Sequence, residues 1–384
     1  MMIMSMNAVQ ELARLGQSIW FDNISRSLIA GGGLKKLVGE GLRGVTSNPT
    51  IFDKAISGSN DYDSQIREIV KGSPETGPGE IIQALMIRDI QMATDVLTPV
   101  YDKTSGLDGY VSVEVTPNKA RDTAATLEEV RLLWTKIKRK NLMIKIPATK
   151  EGLPAIETAI REGININVTL IFSVERYREV AHAYIAGLEA RLRDGKPLNR
   201  VASVASVFVS RVDTLVDDLL QKKIGSALDA KEAESLRKLQ GKAAVANTQM
   251  VYQAFREIFE GPRFKALGDR GATLQRPLWG STGTKNPSYS DLLYVETLVG
   301  PHTVNTVPPA TYDAIMKHLK PALTIEQGLV EAREVLRNLA SAGIDMPWVM
   351  KKLEDDGVSA FEKSFDGLYL NVQQKRDVNV RQPA

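Results

Sequence analysis

Lys145 lies in the run Leu142-Met143-Ile144-Lys145-Ile146, whose even positions are all apolar. In a strand, side chains alternate between faces, so Lys145 projects on the side of Met143, opposite Ile144 and Ile146. Ser112 and Glu114 share a face opposite Val111, Val113 and Val115, and Asn165, Asn167 and Thr169 share one opposite Ile166, Val168 and Leu170. Three neighbouring runs therefore aim Glu, Lys, Asn and Thr into one interior. Burial disfavours the ammonium form of a lysine held there. The neutral amine is the form that attacks a carbonyl carbon to make a Schiff base. A buried ion pair between Lys145 and Glu114 accounts for the same two residues, and residue types alone leave both readings open. If Glu114 works rather than pairs, its chemistry is acid–base transfer through water.

Other polar residues close further apolar runs: Asp22, Asn48, Ser206, and Ser281 with Thr282. Asp22 is either a proton-transfer group or the N-cap of a helix over Ile24–Leu28. Asn48 precedes Pro49, which is ordinary turn chemistry. Asn167 and Thr169 either fill a polar layer or belong to a site. Ser206 breaks the parity of Ser203 and Ala205, so aiming it inward calls for a bulge. Gly280-Ser281-Thr282-Gly283-Thr284-Lys285 offers small residues, hydroxyls, backbone amides and a cation, a composition suited to phosphate, with Arg211 as a possible second cation. A solvent-facing turn and a surface arginine are the plainer alternatives, and the spacing is not that of a P-loop. His182, His302 and His318 lie far apart and match no metal-ligand spacing, and a magnesium site made only of Asp22 and Glu114 has nothing else to recommend it.

Eight strands are predicted to position these groups: Ser18–Asp22, Leu42–Asn48, Tyr110–Val115, Leu142–Pro147, Asn165–Ile171, Val201–Val207, Pro277–Ser281 and Thr303–Val307. Helical stripes lie between and after them. Met86, Ile90, Ala93, Leu97 and Val100 make one, and Leu127, Val130, Trp134 and Ile137 another, with Thr116-Pro117 as its expected start. Tyr177, Ala181, Tyr184, Leu188 and Leu192 make a third, capped by Ser173, and Val358, Phe361, Phe365 and Leu368 a fourth. Alternating strands and helices predict a (β/α)8 TIM barrel with additional helices, as a single domain over residues 1–384. The long segments after the second and sixth strands are expected to be helical excursions. A doubly wound sheet is the competitor, but Gly31-Gly32-Gly33 follows a helical stretch and not a strand. The polar tail from Gln373 to Ala384 is expected to fray.

Composition narrows the function. Lys and Arg number 49 against 46 Asp and Glu, a net charge of +3, which is no nucleic-acid signature. There is no cysteine, which excludes disulfides, thiolate catalysis and iron–sulfur clusters. The first residues show neither a basic region nor a sustained apolar run, and no stretch is apolar enough to span a membrane. A cytoplasmic soluble protein without membrane or nucleic-acid partners is expected.

At these residues the sequence resembles transaldolase. The matching segments are Trp20-Phe21-Asp22, GVTSNPTIF (Gly44–Phe52), SVEV (Ser112–Val115), LMIKIPAT (Leu142–Thr149), INVTLIFS (Ile166–Ser173), ASVFVSRVD (Ala205–Asp213) and STGTKNP (Ser281–Pro287). They run in order from about residue 18 to 313, and the length is similar to the extended bacterial type. The resemblance implies a (β/α)8 barrel that needs no metal or organic cofactor, with Lys145 as the Schiff-base lysine. It assigns proton transfer at the sugar hydroxyl to Asp22 and a water relay to Glu114 and Thr169. Asn48, Asn167 and Ser206 would hold the dihydroxyacetone unit, and Arg211, Thr282 and Lys285 the substrate phosphate. Lys285 stands where arginine is common in better-known members, and a lysine binds phosphate as a point charge rather than a fork. Sugar phosphates are the implied partners, with the chain a monomer or homodimer. The competing readings are a fructose 6-phosphate aldolase that releases dihydroxyacetone to water, a non-catalytic sugar-phosphate binder and a metal-dependent barrel lyase. Glu114 and Phe208 follow the transaldolase pattern, and a pure binder needs no imine-forming amine.

Overall fold

In the computed structural model, which describes residues 6–381, eight parallel strands close on themselves in sequence order. They are β1 (Gln17–Phe21), β2 (Gly44–Thr46), β3 (Tyr110–Glu114), β4 (Leu142–Pro147), β5 (Ile166–Ile171), β6 (Ser203–Phe208), β7 (Arg276–Gly280) and β8 (Thr303–Val307). β8 pairs with β1 along its whole length, which completes the barrel. β2 is shorter than its apolar run suggests, because both ends of that run are drawn into helices. The Leu42 amide closes the preceding helix on the Leu37 carbonyl, and Asn48 caps the next helix, Pro49–Ser57.

The segment after β2 holds the helices Pro49–Ser57, Asp63–Gly72 and Pro78–Lys103; the one after β6 holds four, beginning with Ser210–Gly225. These are the expected excursions. The stripe residues Ile90, Ala93 and Leu97 are buried, as are Val130, Ile137, Tyr177, Ala181, Tyr184 and Leu188. Ser173 caps its helix through the amide of Arg176. Three expectations need correction. Thr116-Pro117 does not start the next helix: Pro117–Lys119 is a single 3-10 turn, the Thr116 hydroxyl donates to Glu129, and Asp122 caps the helix Thr123–Ile137. Asp22 caps nothing, since the following helix is Arg26–Ala30 and Ser25 is its cap. The tail does not fray from Gln373. The C-terminal helix Met346–Arg381 continues through it, held by Lys375 to Asp63 at 2.7 Å and by Arg376 to the Thr76 and Pro74 carbonyls. Residues 382–384 lie outside the described residues.

The interior is closed at the N-terminal end of the strands. Trp20, Tyr110, Met143, Val204, Leu278 and Val304 form an apolar layer. Gly44 lies against the Trp20 ring so closely that a Cβ there would fall 2.5 Å from it. At this end Arg276 pairs with Asp108 at 3.0 Å, and Ser18 donates to the same carboxylate at 2.8 Å. The cavity lined by Lys145 accordingly opens at the C-terminal ends of the strands.

Candidate active site

Strand register brings the predicted groups together. Glu114 on β3 lies beside Lys145 on β4, which lies beside Asn167 on β5. Glu114 and Lys145 are each about 4% exposed, and their Oε2 and Nζ atoms are 3.4 Å apart. The Lys145 amine also donates to the Ser47 carbonyl at 3.2 Å. Neither Glu114 oxygen has a hydrogen-bond partner, and neither does the buried hydroxyl of Thr169. Asn167 is committed on both amide atoms: Nδ2 donates to Ser112 at 3.0 Å, and Oδ1 accepts from Ser206 at 2.7 Å. Ser206 reaches the interior without a bulge, because β6 pairs with β7 in unbroken register and Val204 and Ser206 are its inward positions. The irregularity sits on β5 instead, between Val168 and Ile171, where Leu170 takes φ +59°.

A cavity of about 600 Å3 opens above Lys145. Asp22, Thr46, Asn48, Lys145, Ser206, Phe208, Arg211, Ser281 and Lys285 line it, together with Lys54 and Phe361. The Asp22 carboxylate accepts from Thr46 at 2.8 Å. Asn48 spends its side-chain oxygen on the Ile51 amide, as the cap of a helix with proline in its first turn, which leaves its amide nitrogen for the cavity. Thr282 does not line the cavity. It is fully buried, and its hydroxyl donates to Asn305 and to the Thr306 carbonyl. Ser281, its neighbour, faces the cavity instead, with φ +54° turning the chain, and its hydroxyl lies 3.0 Å from that of Ser210. Among the described residues no group of three or more His, Asp or Glu side chains is placed to hold a metal.

A lysine at the strand ends, between a buried carboxylate and an asparagine, under a mouth lined by cations, is the layout of imine chemistry on a phosphorylated carbonyl substrate. Comparison with known proteins agrees. The family model described as transaldolase/fructose-6-phosphate aldolase matches residues 19–372. The chain belongs to the transaldolase/fructose-6-phosphate aldolase family. Its relatives include the transaldolase of Trichodesmium erythraeum, 46% identical over 96% of this chain and 97% of the relative. That of Thermobifida fusca is 47% identical over 96% and 98%, and transaldolase 2 of a Nostoc species 44% identical over 97% and 98%. Transaldolases are transferases, so the chain is an enzyme of that class.

Electrostatics in this transaldolase-family barrel follow from burial. Burial raises the Asp22 carboxyl above the ordinary carboxylate value, against the opposing pull of Lys145, the Thr46 hydrogen bond, Arg211 and Lys285. Glu114 is raised by burial too, with Lys145 opposing. Both shifts favour carboxyls that exchange protons rather than stay permanently ionised. Burial also pulls the Arg211 guanidinium below its usual value. Two tyrosine–aspartate bonds brace the loop after β7 against the helix Ser210–Gly225. Tyr294 donates to Asp213 at 2.8 Å, and Tyr289 donates to Asp217 at 2.7 Å. They tie the segment carrying Lys285 to the helix carrying Arg211.

Several lining residues, Thr46, Lys54 and Phe361 among them, are not candidates by sequence. Lys54 lies on the helix that Asn48 caps, and a helix starting at a strand end keeps its first turns near the mouth; that was a usable signal. Phe361 belongs to a helical apolar stripe, and nothing in the stripe distinguishes a core residue from one that covers a cavity.

Proposed function

We propose that the chain is a transaldolase that moves a dihydroxyacetone unit from a ketose phosphate, fructose 6-phosphate or sedoheptulose 7-phosphate, to an aldose phosphate, erythrose 4-phosphate or glyceraldehyde 3-phosphate. The observation that carries this reading is the aim of Lys145 into the cavity beside Glu114. The neutral Lys145 amine adds to the donor's C2 carbonyl. Proton transfers through water by Glu114 and Thr169 expel the C2 oxygen as water and leave a protonated imine. Their buried oxygens, which accept no hydrogen bond from the protein, suit that exchange. Asp22 takes the proton from the C4 hydroxyl, the C3–C4 bond breaks, and its electron pair moves into the imine to give an enamine. The aldose phosphate departs. The enamine then attacks the acceptor aldehyde, Asp22 returns its proton, and hydrolysis frees the new ketose phosphate and the amine.

Asn48, Asn167 and Ser206 hold the three-carbon unit in this reading. Arg211 and Lys285 take the phosphate, with Thr282 supporting the loop from behind through Asn305. The enzyme works in the cytoplasm as a single-domain monomer or homodimer; among the described residues no helix is long and apolar enough to cross a membrane. Borohydride reduction with fructose 6-phosphate, then peptide mass analysis, tests the chemistry. A dihydroxyacetone adduct on the peptide containing Lys145 is expected, and an unmodified Lys145 in protein that binds substrate refutes it. Erythrose 4-phosphate then separates transfer from release: transfer yields sedoheptulose 7-phosphate, whereas free dihydroxyacetone as the main product would make the enzyme an aldolase.

A further inference from the structure

Arg211 reaches the cavity from the first turn of the helix Ser210–Gly225, and among the described residues no carboxylate comes within ion-pair distance of it. Aromatic rings hold it instead. Its guanidinium carbon lies 5.1 Å from the centre of the Phe208 ring and 6.0 Å from that of Phe361. Phe208 ends β6, three residues before the arginine, whereas Phe361 arrives on the C-terminal helix Met346–Arg381. One turn before it, Gly357 presents the same helix face. A Cβ on Gly357 would stand 2.9 Å from the Leu170 side chain and 3.6 Å from an Arg211 nitrogen, so the missing side chain lets the helix pass without displacing the Leu170 methyl group. The approach is fixed from the far side: Ser364 and Thr50 share a 2.8 Å hydrogen bond, and Asn371 donates to Asp53 at 3.2 Å. Both partners sit on the helix Pro49–Ser57, the one that Asn48 caps.

We propose that Phe361 is a positioning residue: with Phe208 it holds the Arg211 guanidinium by its faces, in the space Gly357 leaves, so that its N–H edge is kept for the substrate phosphate. This rests on the reading that Arg211 takes that phosphate. A guanidinium fixed by aromatic faces keeps its hydrogen-bonding edge unspent and needs little ordering when the anion arrives. A salt bridge in the same place would compete with the substrate. The C-terminal helix thus tunes selection for phosphorylated substrates without supplying a polar group.

The test uses the full-length enzyme, with inorganic phosphate as a competitive inhibitor and fructose 6-phosphate or unphosphorylated fructose as donor. Phe361→Leu keeps apolar bulk and removes the ring. It should raise both the phosphate inhibition constant and KM for fructose 6-phosphate by about three- to tenfold, the range a cation–π contact supplies. It should also lower the preference for fructose 6-phosphate over fructose by a similar factor, and Phe361→Tyr should restore both. In an Arg211→Ala background, Phe361→Leu should add nothing further. If Arg211→Ala weakens phosphate but Phe361→Leu does not, the positioning role is wrong and the phosphate reading stands. If Phe361→Leu slows both donors equally with the phosphate constant unchanged, Phe361 merely covers the site. If Arg211→Ala itself leaves phosphate inhibition unchanged, the phosphate reading and the inference fail together.

Discussion

Replacing Lys145 with Met tests the heart of the site, because it removes the amine and strands Glu114. In the intact enzyme the ammonium lies 3.4 Å from the carboxylate, with both groups buried. At an effective dielectric of about 20 that pair is worth about 5 kcal/mol of Coulomb attraction. Without it, a carboxylate with no hydrogen-bond partner faces a buried environment and keeps its proton. The folded variant then binds more protons than the unfolded chain in the window between the ordinary glutamate value and the raised value of its buried Glu114. Its stability must therefore fall as pH rises, by at most about 1.4 kcal/mol per pH unit. Intact enzyme also carries a raised Glu114, but Lys145 opposes the shift, so its own decline ends at lower pH. The gap between the two should widen by about 2–4 kcal/mol from pH 5 to pH 8, the remainder of the Coulomb figure being offset by Arg211 nearby. Urea unfolding followed by circular dichroism at several pH values measures it, with the denaturant slope checked for constancy. Turnover and the borohydride adduct should vanish at all pH values, and adding Glu114→Gln should flatten the widening. Parallel stability curves for Lys145→Met and the intact enzyme between pH 5 and 8 would refute the coupling of Glu114 to Lys145.

Asp22→Asn keeps the shape that accepts from Thr46 and removes the base; kcat should fall by about 100-fold or more with KM little changed, and an unaltered kcat would return Asp22 to a structural role. Lys285→Ala should raise KM for phosphorylated donors by about 5- to 20-fold, and an equal effect on fructose would count against its phosphate role. Asp213, raised from 3.8 to about 6 by burial, binds its proton more tightly in the folded state. Its contribution to stability is therefore fully present below pH 4 and is lost as pH rises to 6. Asp213→Asn escapes that loss, so it should match the intact enzyme at pH 4 and exceed it by about 3 kcal/mol at pH 7, read by urea unfolding. A constant offset across that range would show that Asp213 does not titrate as burial dictates.

The sequence by itself determined the barrel and the inward aim of Lys145, Glu114, Asn167 and Thr169. The physical reason is local. Alternation along a strand is a two-residue rule, and a polar residue alternating with Val and Ile has only one face available to it. A parallel strand with a helix after it also places its C-terminal end at the mouth, so strand-end polar residues converge without any long-range information. Ambiguity began where neighbours were chemically alike. Ser203 and Ser206 have opposite parity and are both small enough for either face, so the register with β7 chose between them. Ser281 and Thr282 are adjacent hydroxyls, and the left-handed backbone at Ser281 decided which one faces the cavity. Asp22 was an acceptable cap by residue type, and the start of the helix at Arg26 gave that place to Ser25 instead. The meeting of Phe361 with Arg211 belonged wholly to tertiary structure. It depends on where a 36-residue helix crosses the barrel mouth, and no period within either segment encodes a contact across 150 positions of chain.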